Sequence, residues 1–352
     1  MKRQLLLFVM GTVAVLAFME ALFRILPGPT ATRSGYYIHP LILTYPASHC
    51  FTVATGWDLE NSQYNCANNL GFLADRDFVY DPRAIALIGD SFVEANLLPS
   101  HKRLATQLEA KLVDTPVYSF GGPGSSLLDY AERAKFSAEK FGTRSFVFIL
   151  SRADVREAVC GSGNIHGPCI DAQTLLPRME IQSPPSLFKR FLRESSLAQY
   201  IFSQLRFDIS KIVGNFFPKE SKEKTGSNQA LPLLASQQVV FNFFKQLSTI
   251  TNAQFIFLID ADRAHLSDQL ATESNELKFF KSAAHAIHAT VLDPTSLFRE
   301  YVETSGQILE IGPYDGHWNG DAIQLVAELI TKNLFGISIL DPTRVMETKI
   351  SR

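Results

Sequence analysis

Along the chain, short runs that are apolar at every position alternate with longer stretches that are apolar at helical spacing. AIALI (84–88) is the first such run, followed by the helical pattern LATQLEAKL (104–112). VYSF (117–120) leads into SSLLDYAERAKFSAEKF (125–141), and SFVFIL (145–150) comes next. After a long interval the alternation resumes. QQVVFNFFKQLSTI (237–250) reads as a helix and QFIFLI (254–259) as a strand. ELKFFKSAAHAIHA (276–289) and TVLD (290–293) repeat the pair, and NGDAIQLVAELITKNLF (319–335) is the last helix. Strands apolar on both faces, each followed by a helix, call for a parallel sheet covered by helices on both sides. Ligands of such sheets bind at the carboxyl ends of the strands.

This pattern places the main domain at 83–340. Residues 26–82 are turn-rich and aromatic with little periodicity, a lead-in expected to pack on that domain. The interval 171–236 breaks the alternation and reads as a helical insertion. Within it SLFKRFLRESSLAQYIFSQLRF (186–207) is amphipathic and basic at its start. It lies either on a membrane surface or against the domain with its Lys and Arg stems covering apolar surface. PKESKEKTGSNQ (218–229) reads as a solvated linker, and 341–352 as a tail. There is no internal repeat.

The first residues change the setting. Lys2 and Arg3 precede an apolar run from Leu5 to Met19, and after Glu20 the triplet Ala21-Leu22-Phe23 prolongs it. Residues 5–23 thus reach bilayer-spanning length, and the basic residues ahead of them keep the N-terminus in the cytoplasm. Residues 1–25 are expected to be a single-pass anchor in the inner membrane, with the rest in the periplasm; a cleaved signal peptide is the competing reading. Four cysteines fit an exported chain: Cys50 with Cys66 and Cys160 with Cys169 would make two local disulfides, although three pairings and free thiols stay open. The 352 residues are 46% hydrophobic and 19% charged, with a formal charge of −2, which gives no reason to expect nucleic acid. Neither metal-ligand spacing nor a dinucleotide fingerprint is present, so no cofactor is expected.

Candidate chemistry starts at LIGDSFVEA (87–95), where the first strand ends in Gly-Asp and at once presents Ser91. A serine there matters only if a base, a group to orient it and oxyanion donors arrive from elsewhere. Of the eight histidines, His285 and His288 fall in a predicted helix and His166 in a glycine-rich loop between two cysteines. His317 differs: in GPYDGHWNGDA (312–322) it stands just before the last helix, two residues after Asp315. A carboxylate so placed can hold imidazole Nδ1, leaving Nε2 to accept a proton from serine. Asn319 or Asp321 in the same stretch also suits a helix cap.

Gly-Asp-Ser after the first strand together with Asp-x-His-Trp-Asn before the last helix resembles the GDSL (SGNH) hydrolase superfamily over roughly residues 66–335. NNLGFLADRDF (68–78) is similar to the lead-in of its exported, membrane-anchored members. The resemblance implies a flavodoxin-like three-layer α/β/α fold with a parallel sheet. It implies Ser91 as nucleophile, His317 as base and Asp315 as its orienting carboxylate. In the family's second block Gly121 of SFGGPGSS (119–126) matches the oxyanion glycine, beside the N–H of Ser91; a glycine-rich turn into a helix N-terminus is the alternative.

The third block departs from the family. In LSRADVRE (150–157) Asp154 matches the family's aspartate, so Ala153 stands where an oxyanion asparagine is usual. Alanine offers no side-chain donor, and losing one such donor typically costs about 100- to 1,000-fold. Ser151 and Arg152 are the candidate substitutes. The expected function is an exported serine esterase or O-acyl (acetyl) transferase acting on acyl esters, of envelope or exopolysaccharide by analogy, alongside envelope polysaccharide machinery. The alternatives are a catalytically degenerate carbohydrate-binding or assembly component, supported by Ala153, and a membrane-surface lipid esterase.

Overall fold

A computed structural model describes residues 2–59, 61–162, 167–180, 186–205, 230–266, 273–312 and 315–339. His166, the linker at 218–229 and the tail at 341–352 lie outside the described residues, as does part of the insertion.

Five parallel strands form the central sheet: β1 (Ile85–Gly89), β2 (Val117–Gly121), β3 (Ser145–Leu150), β4 (Gln254–Ile259) and β5 (Thr290–Leu292). Their order across the sheet is β5-β4-β3-β1-β2, with all neighbours parallel. This is the flavodoxin-like order, in which the winding direction reverses between β1 and β3. The chain leaves β1 at that reversal, and Ser91 is two residues beyond its end.

The strands carry bulky apolar residues at successive positions because both faces are covered. Ala86, Ile88, Phe148 and Phe257 pack on one side, while Ile85, Leu87, Val147 and Leu258 pack on the other. Helices α3 (Leu127–Phe141), α4 (Ala230–Leu247) and α5 (Asn275–Ala286) cover the first face. Helices α2 (Leu104–Lys111), α6 (Thr295–Ser305) and α7 (Gly320–Ile339) cover the second. The fold is thus a three-layer α/β/α sandwich.

Several elements differ from the periodicity. Helix α4 begins seven residues before 237; its Pro232 falls in the first turn, where a proline sacrifices no intrahelical bond. Helix α6, launched at Pro294, was not predicted. The amphipathic stretch 186–207 is broken into Leu187–Glu194, Ser196–Gln199 and a π-turn at Tyr200–Gln204. Ser195 causes the first break, because its hydroxyl caps the following turn by accepting from the Ala198 N–H at 3.1 Å.

The lead-in has structure of its own: one hairpin pairs Gly35–His39 with Ile42–Thr44, another Cys50–Val53 with Gln63–Cys66. Ile42, Phe72 and Phe78 enter the main core beside Tyr118 and Phe120. Two disulfides join Cys50 to Cys66 and Cys160 to Cys169. At the N-terminus α1 (Lys2–Ile25) is, among the described residues, the one helix long and apolar enough to cross a membrane.

Candidate active site

Ser91 is presented by a tight turn that two glycines make possible. A Cβ on Gly89 would come within 2.6 Å of Val93 and 2.9 Å of the Ile149 carbonyl, and one on Gly121 within 2.4 Å of the Glu94 nitrogen. Without side chains there, the ends of β1 and β2 close around the one-turn helix Ser91–Glu94. Asp90 caps that turn, its Oδ1 accepting from the Phe92 N–H at 2.9 Å. The serine therefore stands at the carboxyl edge on a rigid backbone.

The loop that the sequence placed before the last helix is a β-hairpin: Glu310–Gly312 pairs with Asp315–Trp318. This rigid support brings three distant side chains into line. His317 Nε2 lies 2.7 Å from Ser91 Oγ, and His317 Nδ1 lies 2.5 Å from Asp315 Oδ1. The same carboxylate oxygen accepts the His317 backbone N–H at 3.0 Å, and Asp315 is buried. An imidazole held at Nδ1 by a buried carboxylate has Nε2 free to take a serine proton. Asn319 serves the other end of the motif, capping α7 through bonds from the Asp321 and Ala322 N–H groups at 3.1 and 3.0 Å.

Several site residues were not picked out from the sequence. The Phe92 ring packs against His317 at 5.1 Å and against buried Trp318 at 4.9 Å. Trp318 donates through Nε1 to Asp260 at 2.8 Å. Arg263 bonds both Asp260 and Glu310 and lies 5.6 Å over the Phe92 ring. Asp260 had a signal in the sequence: like Asp90, it is an acid placed directly after a fully apolar strand.

Residues of the second and third blocks lie at the carboxyl ends of β2 and β3. In the β1–β2 ladder the Gly122 N–H donates to the Gly89 carbonyl at 3.2 Å. Gly121 is required for close packing, because a Cβ there would strike the backbone of the Ser91–Glu94 turn. Ser151 is also committed, since its hydroxyl donates to Asp154 at 2.5 Å and accepts from the Ala153 N–H at 3.2 Å. Arg152 is half-buried and, among the described residues, pairs with neither Asp154 nor Glu157. Of the two candidate substitutes only Arg152 keeps donors available.

Beneath Ser91 lies a cluster of buried ionisable side chains. Arg133 is fully buried and donates through Nη1 to the Gly89 carbonyl at 2.8 Å, the Phe120 carbonyl at 3.3 Å and Ser125 Oγ at 2.9 Å. Burial pushes Asp90 and Asp129 up to about 6, against the opposing pull of the Phe92 N–H and of Arg133 respectively. Burial likewise lifts Glu94 up to about 7, although it accepts from the Tyr45 hydroxyl. Asp154 is held well above the carboxylate range by burial and by the Asp90 charge. For His317 burial works against the imidazolium. The hydrogen bond and charge of Asp315, with Asp90 and Glu94 behind, outweigh it and raise the ring above its ordinary value.

These shifts have one sign for stability. The buried carboxyls keep their protons in the folded chain at pH values where the unfolded chain, with ordinary values near 4, has lost them. The resulting stabilisation is complete below that unfolded value and is lost as pH rises through about 6 to 7, the range of Asp90, Asp129 and Glu94. Thermal unfolding is therefore expected at higher temperature at about pH 5.5 than at about pH 8. Glu94→Gln should flatten that slope and raise the Tm on the alkaline side. Equal slopes for the two proteins would contradict the assignment.

No family model matches the chain, and no curated protein matches it. Solved structures similar to it include a member of the lipolytic protein G-D-S-L family from Veillonella parvula, at 11% identity and a TM-score of 0.38, covering 71% of this chain and 96% of that one. A lipase/acylhydrolase from Enterococcus faecalis matches at 13% identity and a TM-score of 0.39, over 72% of this chain and 96% of that one. A two-domain esterase active on acetylated mannans matches at 12% identity and a TM-score of 0.40, over 72% of this chain and 49% of that one.

Proposed function

We propose that the chain is a serine-dependent esterase or O-acyl transferase of the GDSL/SGNH type, anchored in the inner membrane by residues 5–23 with its catalytic domain in the periplasm. The observation that carries the reading is the unbroken relay from buried Asp315 through His317 to Ser91, at 2.5 and 2.7 Å. Ser91 Oγ bonds to the acyl carbon while its proton passes to His317 Nε2. The oxyanion is met by the Ser91 and Gly121 N–H groups, with the Arg152 guanidinium in place of the donor that Ala153 lacks. His317 then protonates the departing alcohol, and the acyl-enzyme forms. In the second half the oxygen of water, giving an esterase, or of a sugar hydroxyl, giving a transferase, bonds to the acyl carbon as His317 takes its proton, and Ser91 Oγ leaves with that proton returned from His317. Asp315 keeps the ring oriented in both halves and supports the imidazolium. No step calls for a metal or an organic cofactor.

An acetyl ester of an envelope saccharide is the substrate class proposed, consistent with the exported setting and with the named activity of the mannan esterase neighbour. Ala153 favours one second reading, in which the fold persists as a saccharide-binding or assembly component with little turnover. Labelling separates the two. A fluorophosphonate should modify the full-length protein at Ser91, found by mass on the peptide that contains it, and should leave Ser91→Ala unmodified. A folded wild type that takes no label would overturn the enzymatic reading and turn attention to glycan binding.

A further inference from the structure

The anchor helix is joined to the domain by more than the chain. Glu20, in the last quarter of α1, accepts from Ser195 Oγ at 2.8 Å and from the Ser196 and Leu197 N–H groups, each at 3.1 Å. It also pairs with Arg24 at 2.9 Å. Three residues on, the Phe23 ring stacks on Tyr200 at 4.2 Å. The Tyr200 hydroxyl in turn donates to the Trp57 carbonyl at 3.0 Å, and Gln204 to the Gly56 carbonyl at 2.7 Å. Glu194 pairs with Arg33 at 2.9 Å. The insertion is thereby clamped between the outer end of α1 and the lead-in.

That clamp fixes the level of the insertion. Residues 5–23 rise about 28 Å as a helix, close to the roughly 30 Å of a hydrocarbon core. Glu20 and Phe23 then sit at the outer rim of that core, and the segment bound to them sits among the lipid headgroups. The short helix Leu187–Glu194 runs into Ser195 at this level. It exposes Leu187 at 81% and Phe191 at 73%, one turn apart on the same face. Trp57, tied to Tyr200, is 70% exposed. Exposed Arg190 and Arg24 add positive charge at the same height. Apolar side chains with arginines at the rim of a membrane are the composition of an interfacial helix.

We propose that the face carrying Leu187, Phe191 and Trp57 seats on the outer leaflet of the membrane that α1 crosses, with Arg190 and Arg24 against lipid phosphates. The domain is then held in one orientation on the bilayer and does not swing from its anchor. The proposal rests on the assignment of α1 as membrane-crossing, and its test separates the two.

The full chain is reconstituted in vesicles of phosphatidylcholine and phosphatidylglycerol, with and without brominated acyl chains. An environment-sensitive fluorophore is placed by Phe191→Cys, Leu187→Cys, Leu16→Cys or Val113→Cys in separate proteins; the native cysteines are all in disulfides. Val113, 85% exposed on the domain, is the reference for water. Labels at 191 and 187 should emit to the blue of the label at 113 and lose intensity to brominated lipid, as the label at 16 does. Glu20→Ala, which releases the clamp, should move the label at 191 toward the behaviour of 113. If 191 and 187 match 113 while 16 is quenched, the seating is overturned and the anchor stands. If 16 is unquenched as well, both fall.

Discussion

Replacing Ser91 with alanine is expected to lower kcat for an activated acetyl ester by about 10⁴- to 10⁶-fold, the usual consequence of removing a nucleophile from such a relay. The substitution takes away one exposed-edge oxygen and disturbs no buried bond: the Asp90 cap rests on the Phe92 N–H and survives. Unfolding temperature should therefore stay at the wild-type value while turnover collapses. His317→Ala should cost a similar factor, and the double variant should be little worse than either alone, because the two side chains act as one unit. Asp315→Asn probes the remaining member. In the wild type kcat/KM should rise with pH through an ionisation above the ordinary histidine value, since His317 must be neutral to accept the proton and its partners raise it. Losing the carboxylate charge should move that limb to lower pH and also cut the plateau. Wild-type and Ser91→Ala rates that agree on the same ester would refute the assignment.

The largest expected effect on stability belongs to Arg133→Leu. Its guanidinium satisfies the Gly89 and Phe120 carbonyls at the ends of β1 and β2 and Ser125 Oγ just ahead of α3, and offsets the charge of buried Asp129. Among the described residues its Nε and Nη2 make no hydrogen bond, so the cation is held at a cost that these contacts and the nearby acids must exceed. Removing it leaves carbonyls and carboxyls buried without their partner. That typically costs about 3–5 kcal/mol, and for a domain of this size about 10 °C in Tm. Activity should fall as well, because the Gly89 carbonyl that Arg133 grips also accepts the Gly122 N–H beneath the Ser91 turn. An unchanged Tm would show that this buried cation is dispensable.

The alternation of apolar runs with helical spacing was enough to place five parallel strands and most of their helices. Both follow from local covalent periods, two residues for a strand and 3.6 for a helix. The Gly-Asp-Ser turn and the Asp-Gly-His pair were legible for the same reason: each lies within a few residues of chain. Cysteine spacing also carried the two local disulfides, since each pair closes a short loop.

What no local pattern could supply was the meeting of these segments and the environment each residue acquires there. Ser91 and His317 are 226 positions apart, and the reversal of strand order between β1 and β3 and the hairpin at 310–318 bring them within 2.7 Å. Gly121 matched a motif, and only the fold shows that its Cα packs against the Glu94 backbone. Ser151 had a suitable hydroxyl, yet it donates its hydrogen bond to Asp154. Arg133 and Glu94 look like surface residues on ordinary helices, and only packing makes them buried charges. Hydrogen-bond direction, burial and partner choice depend on atoms far away in sequence, so they were decided by the tertiary structure alone.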